Sequence, residues 1–263
     1  MMTPTLGVAL ITKNAAARLD ECLSSLVFAD RVVLLDSGST DTTLAIARAH
    51  GVEIYQSADW PGFGIQKNRA VALLDTDWIF LIDADEVVTP KLAASIQAAL
   101  AAPQAEVYEL NRLSSFCGHW MRHSGWYPDW IARLFKRGSA RFSEDLVHER
   151  LRFTCPSARL AGALLHYSYE NYSDVLRKLE QYSSLGATQR IARGETGDLG
   201  KAIARGSWAF LRTYFLRLGF LDGRAGLIVA IFNAETVYYR ILKMQLVQPP
   251  PHRTSRSRAA AAR

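Results

Sequence analysis

The sequence is poor in cysteine. Its 263 residues include three, Cys22, Cys117 and Cys155, which lie far apart and form no CxxC pair. An odd number at such spacing encodes neither a disulfide framework nor a zinc cage, and it fits a reducing cytoplasm. The first residues lack the basic segment of a signal peptide, so we expect no cleaved leader.

Long apolar runs are also missing. The longest later ones, such as Leu227–Asn233, fall far short of the ~20 residues that cross a bilayer, so we expect no membrane span. No internal repeat is visible. With 49% apolar and 21% charged residues, the composition is that of an ordinary globular protein. The length suits one large domain, alone or with an appendage.

Acidic residues are scarce at the C-terminal end. Residues 203–263 contain ten Lys and Arg against two acids, a net charge of +8, whereas residues 1–202 contain 21 against 23, a net charge of −2. This asymmetry predicts an anionic partner for that end, either a membrane or a nucleic acid. No recognised nucleic-acid motif accompanies the basic tail, so we expect no nucleic-acid partner.

Apolar and basic residues alternate at helical spacing in this C-terminal segment. The pattern is typical of a helix that lies on an anionic bilayer without spanning it. A helix that packs on the rest of the protein is the alternative. The residues on the apolar side are Trp208, Leu211, Phe215 and Leu218.

Apolar strands and helices alternate over the first hundred residues. The predicted strands are Leu6–Thr12, Arg31–Asp36, Val52–Tyr55 and the run that ends at Asp83, separated by helices at Ala15–Leu26, Thr42–His50, Gly64–Leu74 and Lys91–Leu100. Continuous apolar strands between helices predict an α/β fold with a mostly parallel sheet covered on both faces. Further strands are predicted at Val107–Leu113, Trp130–Phe135 and Leu160–His166, then a helix at Tyr172–Ala192 and two helices over 200–246 that break near Gly219–Gly226.

Two carboxylates follow a buried strand in the stretch WIFLIDADE, residues 78–86. Asp83 and Asp85 are spaced i, i+2, so that at a strand end both can converge on one hard cation that bridges phosphate oxygens. The alternative is an acidic cluster that caps the next helix, since Thr89-Pro90 is typical of a helix start.

Polar side chains also follow the first two strands, with Thr12 and Asn14 after the first and Asp36 and Ser39 after the second. Ligands of open α/β sheets bind outside the carboxyl ends of the strands. Asp36 is suited to accept hydrogen bonds from a ribose or a base edge, and Ser39 can help to cap a helix whose free N–H groups face the ligand. For the stretch DSGSTD alone, a plain turn with a helix cap is the commoner explanation.

Four segments together resemble the family 2 glycosyltransferases of the GT-A type, which are inverting and use nucleotide sugars. They are LITKN at 10–14, DSGSTDTT at 36–43, FGIQKNRA at 63–70 and DADE at 83–86. The stretch RFSEDLVHERL at 141–151, with Leu221-Asp222-Gly223 downstream, is similar to the lipopolysaccharide core β-glucosyltransferases of the WaaE/KdtX group. The order and spacing of the segments are far more specific than any one motif.

The resemblance implies a GT-A catalytic domain at 1–170, with a nucleotide-sugar half at about 1–113 and an acceptor half at about 114–170. A helical, membrane-associating appendage would occupy 171–248. The tail at 249–263 is basic and is predicted to be disordered.

The resemblance also implies roles for the polar strand ends. Asp36 would contact the uridine, Asp83 would serve the ribose or diphosphate side, and Asp85 would ligate Mg²⁺ or Mn²⁺, with Asp83 as the second candidate ligand. Three residues of the predicted helix Gly64–Leu74 could bind the diphosphate or the donor sugar, although a solvated helix face is the alternative. The full set of nucleotide-sugar candidates is Thr12, Asn14, Asp36, Ser39, Gln66, Lys67, Arg69 and Asp83.

An inverting transfer needs a base that takes the proton of the acceptor hydroxyl. The candidates lie in SEDLVHE: Glu149 is the first choice and Asp145 the second, while His148 could ligate the metal, orient the base or contact phosphate. A solvated charged loop is the alternative. We expect His166 to be structural. Three tryptophans are candidates for an acceptor wall or for the core: Trp120, Trp126 and Trp130.

The resemblance implies transfer of a sugar, expected to be glucose from UDP-glucose, to a heptose of the lipopolysaccharide inner core, at the cytoplasmic face of the inner membrane. Within the same class, the donor could be another nucleotide sugar or the acceptor a polyprenyl-linked sugar. From another class, the alternative is a membrane-peripheral binding module that does not turn over.

Overall fold

The computed structural model describes residues 4–143 and 150–247. The chain divides into two compact units, Met1–Asn171 and Tyr172–Arg263. The expected tail at 249–263 lies outside the described residues.

The first unit is built on one large sheet. Its strands are β1 (Leu6–Thr12), β2 (Arg31–Asp36), β3 (Glu53–Gln56), β4 (Trp78–Leu81), β5 (Glu86–Val88), β6 (Val107–Phe116), β7 (His119–Trp120), β8 (Asp129–Lys136) and β11 (Ser157–Tyr169), and β9 (Arg141–Phe142) and β10 (Leu151–Arg152) form a separate pair. Its helices are α1 (Ala16–Ser24), α2 (Thr43–Ala49), α3 (Phe63–Ala72) and α4 (Pro90–Ala101).

The strand order is β3-β2-β1-β4-β8-β6-β11-β5, with β7 paired to β6 off this path. Strands β1 to β4 pair in parallel, and β11 pairs in parallel with β6. Strand β8 runs antiparallel between β4 and β6, and β5 runs antiparallel beside β11. The predicted α/β fold with a mostly parallel sheet is confirmed.

Alternate residues of one strand supply two apolar layers. In β1, Val8 and Leu10 pack into one buried cluster and Ala9 packs into the other; in β2, Leu34 and Leu35 divide in the same way. Because side chains alternate across a strand, a continuous apolar run buries both faces of the sheet. The bounds of β1 and β2 match the apolar runs from which they were predicted.

The acidic motif lies in a tight turn between β4 and β5, where the Glu86 N–H donates to the Asp83 carbonyl at 3.0 Å. The cap of α4 is Thr89, whose side chain accepts from the Leu92 N–H at 3.4 Å. The alternative in which the acids cap this helix is therefore wrong. The three-residue strand β5 was not predicted, because it is too short to show a period.

Up to residue 247, where its described part ends, the second unit contains three long helices: α5 (Tyr172–Ala192), α6 (Leu199–Leu211) and α7 (Gly223–Val247). Asp198 caps α6 by accepting from the Lys201 N–H at 2.8 Å. A π-helical turn at Arg212–Leu216 and a 3₁₀ turn at Gly219–Asp222 join α6 to α7. Gly226 is required at this joint, because a Cβ there would lie 1.8 Å from the Gly219 carbonyl oxygen.

One segment of the second unit is long and apolar enough to cross a membrane by length and composition. It is Gly219–Leu246, with 28 residues and a mean hydropathy of 1.2 in its most apolar window. The expectation that no segment is long and apolar enough is therefore wrong. Isolated polar residues interrupt the apolar run but lower its mean hydropathy only slightly. Length and composition do not separate a span from a bundle helix, and α7 packs against both α5 and α6.

Candidate active site

The strands β1 and β2 both end in polar residues, which lie together at the carboxyl-terminal edge of the sheet, where the parallel strands end. The register places Thr12 opposite Asp36, and the Thr12 hydroxyl donates to Asp36 Oδ1 at 3.0 Å. Asp36 is completely buried, and its Oδ2 accepts from the N–H groups of Gly38 at 3.0 Å and Ser39 at 2.8 Å. The Ser39 hydroxyl donates to Oδ1 at 2.5 Å. The carboxylate thus holds the turn that follows β2.

Asn14 joins the loops that follow these two strands. Its backbone has a positive φ of 52°, its N–H donates to the Ser39 hydroxyl at 2.8 Å, and its Oδ1 accepts from the Thr40 N–H at 2.8 Å. Four of the predicted nucleotide-sugar residues, Thr12, Asn14, Asp36 and Ser39, are therefore together at one strand edge. Their side chains fix the backbone of that edge by bonding to one another.

Helix α3 contributes two buried polar side chains to the same region. Gln66 is completely buried and its Nε2 donates to the Ser37 hydroxyl at 3.0 Å. Lys67 is 4% exposed, and its Nζ lies 3.2 Å from Asp83 Oδ1. A solvated helix face does not describe either residue. Arg69 differs, because it is half-exposed and forms a bidentate ion pair with Asp59 at 2.7 and 3.1 Å.

Asp83 is clamped between two cations. Besides Lys67, Arg133 Nη2 donates to Asp83 Oδ2 at 2.5 Å. The register of β8 against β6 shifts by one residue here and leaves Arg133 as the extra residue of a bulge. Bulges re-aim side chains and are common beside active sites. Burial opposes ionisation of Asp83, but Arg133 and Lys67 outweigh it and hold its pKa well below the usual range.

Glu86 is completely buried and lies next to Asp83 and Arg133. Its Oε2 accepts from the Asp83 N–H at 2.9 Å, which fixes the turn between β4 and β5. Its Oε1 makes no hydrogen bond in the described part of the chain but lies 3.7 Å from Arg112 and 3.6 Å from Arg133. Burial raises the pKa of Glu86, Arg133 opposes that shift, and the Asp83 carboxylate adds to it.

Asp85 has different surroundings from Asp83. Its side chain is 46% exposed, and its Oδ2 lies 3.5 Å from His166 Nε2. Among residues 4–143 and 150–247, no Lys or Arg forms an ion pair with it. His166 Nδ1 is within hydrogen-bond distance of two hydroxyls, those of Ser114 at 3.1 Å and Ser168 at 2.8 Å. An imidazole nitrogen held in this way beside a carboxylate can ligate a divalent cation.

Sequence reasoning treated His166 as structural and gave no reason to pair it with Asp85. The pairing arises because β5 and β11 run antiparallel with Glu86 opposite His166. The available signal was its position at the end of a predicted strand. No group of three His, Cys, Asp or Glu side chains suited to a metal occurs within the described ranges, so a bound cation would need ligands beyond Asp85 and His166.

A cleft of about 540 Å³ opens beside Asp83. Four basic side chains line it against two acidic ones. The lining residues are Lys67, Asp83, Arg112, Asp129, Trp130, Ile131, Ala132, Arg133, Phe142, Arg150 and Leu151. A larger cavity of about 710 Å³ lies beside Thr5, Asp77 and Glu106, and none of the predicted site residues lines it.

A basic cleft beside paired acids at the carboxyl ends of parallel strands is suited to a nucleoside diphosphate. The family model described as Glycosyl transferase family 2 matches residues 8–155. The chain belongs to glycosyltransferase family 2. With the sheet described above, this membership identifies the fold of the first unit as GT-A.

Relatives of this glycosyltransferase extend over nearly the whole chain. It is 30% identical to the lipopolysaccharide core biosynthesis glycosyltransferase LpsC of Rhizobium meliloti (strain 1021) over 260 residues, covering 89% of this chain and 92% of LpsC. An uncharacterized glycosyltransferase of Rickettsia bellii (strain RML369-C) is 26% identical over 261 residues, covering 93% of this chain and 87% of the relative.

Among solved structures, glucosyl-3-phosphoglycerate synthase from Mycobacterium tuberculosis, in complex with Mn²⁺, UDP-glucose and phosphoglyceric acid, is 25% identical. The match covers 42% of this chain and 44% of the synthase chain, with a TM-score of 0.37. This similarity is too low to relate individual residues of the two proteins.

The predicted catalytic residues lie outside the described residues. They are Glu149, Asp145 and His148. The residues on either side are bonded to each other, since the Ser143 N–H donates to the Arg150 carbonyl at 2.9 Å. Arg150 also lines the cleft. Phe142 of β9, on the other side of the three candidates, lines it as well.

The three candidate tryptophans lie in different surroundings. Trp130 lines the cleft, and the guanidinium of Arg159 lies over its ring at 4.6 Å. Trp126 packs edge-on against Phe116 with ring centroids 5.9 Å apart. Trp120 packs on a tyrosine of β11 at 5.3 Å. Trp130 is therefore the one of the three that lines the cleft, whereas Trp120 and Trp126 belong to aromatic clusters.

Proposed function

We propose that this glycosyltransferase moves a sugar, with inversion, from a nucleotide sugar to a heptose of the lipopolysaccharide inner core, with UDP-glucose as the donor. The proposal rests on the different surroundings of Asp83 and Asp85. Asp83 is neutralised by Lys67 and Arg133, whereas Asp85 faces His166 and pairs with no lysine or arginine among the described residues.

The nucleoside half of the donor would occupy the edge formed by the ends of β1 and β2. The bonded set around Asp36 and Asn14 fixes the backbone of both loops, so the edge is ordered before the donor binds. Such preorganisation lowers the entropy cost of binding. The diphosphate would extend toward Asp83, where Gln66 and Lys67 of α3 supply polar and positively charged groups. Arg69, which is engaged by Asp59, would act at the rim.

Asp85 and His166 would hold Mg²⁺ or Mn²⁺. A carboxylate oxygen and an imidazole nitrogen 3.5 Å apart suit Mn²⁺ well, and Mg²⁺ accepts the same carboxylate. The diphosphate would complete the ligand set. With a divalent cation held there, the site would supply positive charge to offset the charge that develops on the departing diphosphate. Asp83 keeps Lys67 and Arg133 in position at the same edge.

The acceptor would enter the basic cleft beside Asp83. A carboxylate of the segment that follows β9 would take the proton of the acceptor hydroxyl. Glu149 is preferred to Asp145 for this role, and His148 would orient the base. The flanking Arg150 lines the cleft, which supports that location. LpsC, a lipopolysaccharide core biosynthesis enzyme by name, supports a core acceptor.

The second unit would act as the membrane-associating appendage and keep the enzyme at the cytoplasmic face of the inner membrane. Three large exposed apolar side chains of the described ranges lie in the first unit, and all the others lie in the second. Residues 215–221, within the joint between α6 and α7, are here called the apolar tip. Its exposed members are Phe215 (51%), Leu216 (66%), Leu218 (46%), Phe220 (45%) and Leu221 (56%).

Basic side chains flank the apolar tip on both sides, with Arg212 before it, Arg217 within it and Arg224 after it. Apolar side chains beside arginines suit insertion between the headgroups of an anionic bilayer. This arrangement favours a lipid partner over a nucleic acid, which would not bury aliphatic side chains.

A panel of nucleotide sugars, each tested with truncated lipopolysaccharide cores, tests the proposed function. We expect UDP-glucose to be consumed with a heptose-terminated core and the new linkage to have the inverted configuration, as read by NMR. Preference for another nucleotide sugar or a polyprenyl-linked acceptor would replace the donor or acceptor named here. If the protein bound nucleotide sugars tightly but transferred no sugar to any acceptor, the proposal of an enzyme would be wrong, and a non-catalytic binding module would be the better description.

A further inference from the structure

The cleft contains a carboxylate that belongs to none of the sequence motifs. Asp129 is the first residue of β8 and lies opposite Arg112 of β6 in the register of the sheet. Its backbone N–H donates to Asn111 Oδ1 at 3.1 Å. Both the backbone and the side chain of Asp129 are therefore fixed by β6.

Arg112 engages only one of the two carboxylate oxygens. Its Nε and its Nη2 both approach Asp129 Oδ2, at 2.9 and 2.8 Å. The other oxygen, Oδ1, accepts no hydrogen bond from residues 4–143 or 150–247. The side chain is 37% exposed and lines the cleft together with Asp83 and Trp130. One oxygen is thus held by the protein while the other is available to a ligand.

The chemistry of this oxygen selects the kind of group it can bind. A carboxylate accepts hydrogen bonds and repels phosphate, so Oδ1 is suited to sugar hydroxyls and not to the diphosphate of the donor. Arg112 balances the charge of the carboxylate and fixes its orientation. The arginine fixes the direction of the carboxylate, so its second oxygen offers an oriented acceptor to a sugar hydroxyl in the cleft.

We propose that Asp129 binds the acceptor sugar, with Oδ1 accepting hydrogen bonds from hydroxyls of the ring that is to be glycosylated. Arg112 is the positioning residue that aims this carboxylate. This inference rests on the proposed function, since it names the part of the cleft that recognises the hydroxyl groups of the acceptor sugar. It leaves the proton of the attacking hydroxyl to the base of the segment that follows β9.

The test compares Asp129→Asn with Glu53→Gln in the full chain. Glu53 is also a surface carboxylate held by an arginine of a neighbouring strand, Arg31, at 2.7 Å, and it does not line the cleft. Binding of a heptose-terminated core oligosaccharide is measured by calorimetry with UDP present. A second assay measures hydrolysis of UDP-glucose without acceptor.

We expect Asp129→Asn to weaken oligosaccharide binding about ten-fold or more, as for a lost hydrogen bond to a charged group. Hydrolysis of UDP-glucose and the KM for UDP-glucose should stay within two-fold of the wild type, and Glu53→Gln should change neither assay. Arg112→Lys keeps the positive charge but loses the paired contacts of Nε and Nη2 with Asp129, so it should also weaken oligosaccharide binding.

Unchanged oligosaccharide binding in Asp129→Asn would overturn the inference. So would an equal loss in both assays, because that would mark a general disturbance of the cleft. Failure of the wild type to consume any nucleotide sugar would instead contradict the proposed function, and the binding comparison would still decide the role of Asp129.

Discussion

Replacement of Arg133 by methionine tests the clamp around the acidic motif. Methionine keeps most of the length of the side chain and removes its charge. The Arg133 side chain is 8% exposed, contacts Asp83 Oδ2 and lies 3.6 Å from Glu86 Oε1. The substitution therefore leaves two carboxylates without their shared cation, and one of them, Glu86, is completely buried.

The magnitude follows from this geometry. Removal of one partner from a buried ion pair destabilises a protein by about 3–5 kcal/mol, because the other charge stays buried and unpaired. Lys67 remains 3.2 Å from Asp83 Oδ1 and still offsets part of the charge. We therefore expect a loss near the lower end, about 3 kcal/mol in the free energy of unfolding of the first unit.

The pH dependence gives a second signature. The pKa of Asp83 in the folded protein is held below its ordinary value of 3.8, so the ion pair stabilises the fold above that pH and the contribution is lost as the pH falls further. The difference between the wild type and Arg133→Met should be largest near neutral pH and should narrow below pH 3.8.

Urea unfolding followed by tryptophan fluorescence measures both effects. The matched control is Arg69→Met, which removes an arginine from an exposed ion pair with Asp59. Exposed pairs contribute about 0–1 kcal/mol, so this variant should unfold near the wild-type midpoint. A loss in Arg133→Met no greater than that in Arg69→Met would refute the description of a buried clamp.

Three further substitutions test other parts of the structure. Asp36→Asn should cost about 1–3 kcal/mol and weaken UDP binding, since an amide cannot accept from all the donors that meet the carboxylate; urea unfolding and calorimetry measure the two effects. Gly162→Ala should lower stability by roughly 2–5 kcal/mol, since it adds overpacking to left-handed strain, whereas Gly138→Ala, which meets no atom, should cost about 1–2 kcal/mol in the same assay. Leu216→Ser should weaken sedimentation with phosphatidylglycerol-containing vesicles. Leu176→Ser, in which the leucine is similarly exposed (63% against 66%), should not, and equal losses would contradict insertion of the apolar tip.

Much of the first unit could be predicted because it rests on local patterns. The apolar runs of β1 and β2 are long enough to mark buried parallel strands. The polar residues that end them, Thr12 and Asp36, lie together because neighbouring parallel strands end at the same edge. Helix α5 also has the predicted bounds, Tyr172–Ala192.

The rest of the site depends on contacts between distant segments, which no local pattern encodes. His166 meets Asp85 through the pairing of β11 with β5, which is only three residues long. Arg133 reaches Asp83 because a bulge re-aims it, and a bulge has no period in the sequence. Asp129 is paired with Arg112 across two strands, so its sequence neighbours gave no reason to select it.

The most direct test of the central claim measures release of UDP from UDP-glucose while the concentration of Mn²⁺ is varied. It uses the wild type, Asp85→Asn and His166→Ala, with a heptose-terminated core as the acceptor. We predict that the wild type requires the cation, that His166→Ala requires a higher Mn²⁺ concentration, and that Asp85→Asn is inactive at every concentration while it still unfolds at the wild-type urea midpoint. Wild-type activity in Asp85→Asn, or wild-type turnover that persists after removal of divalent cations, would contradict the account.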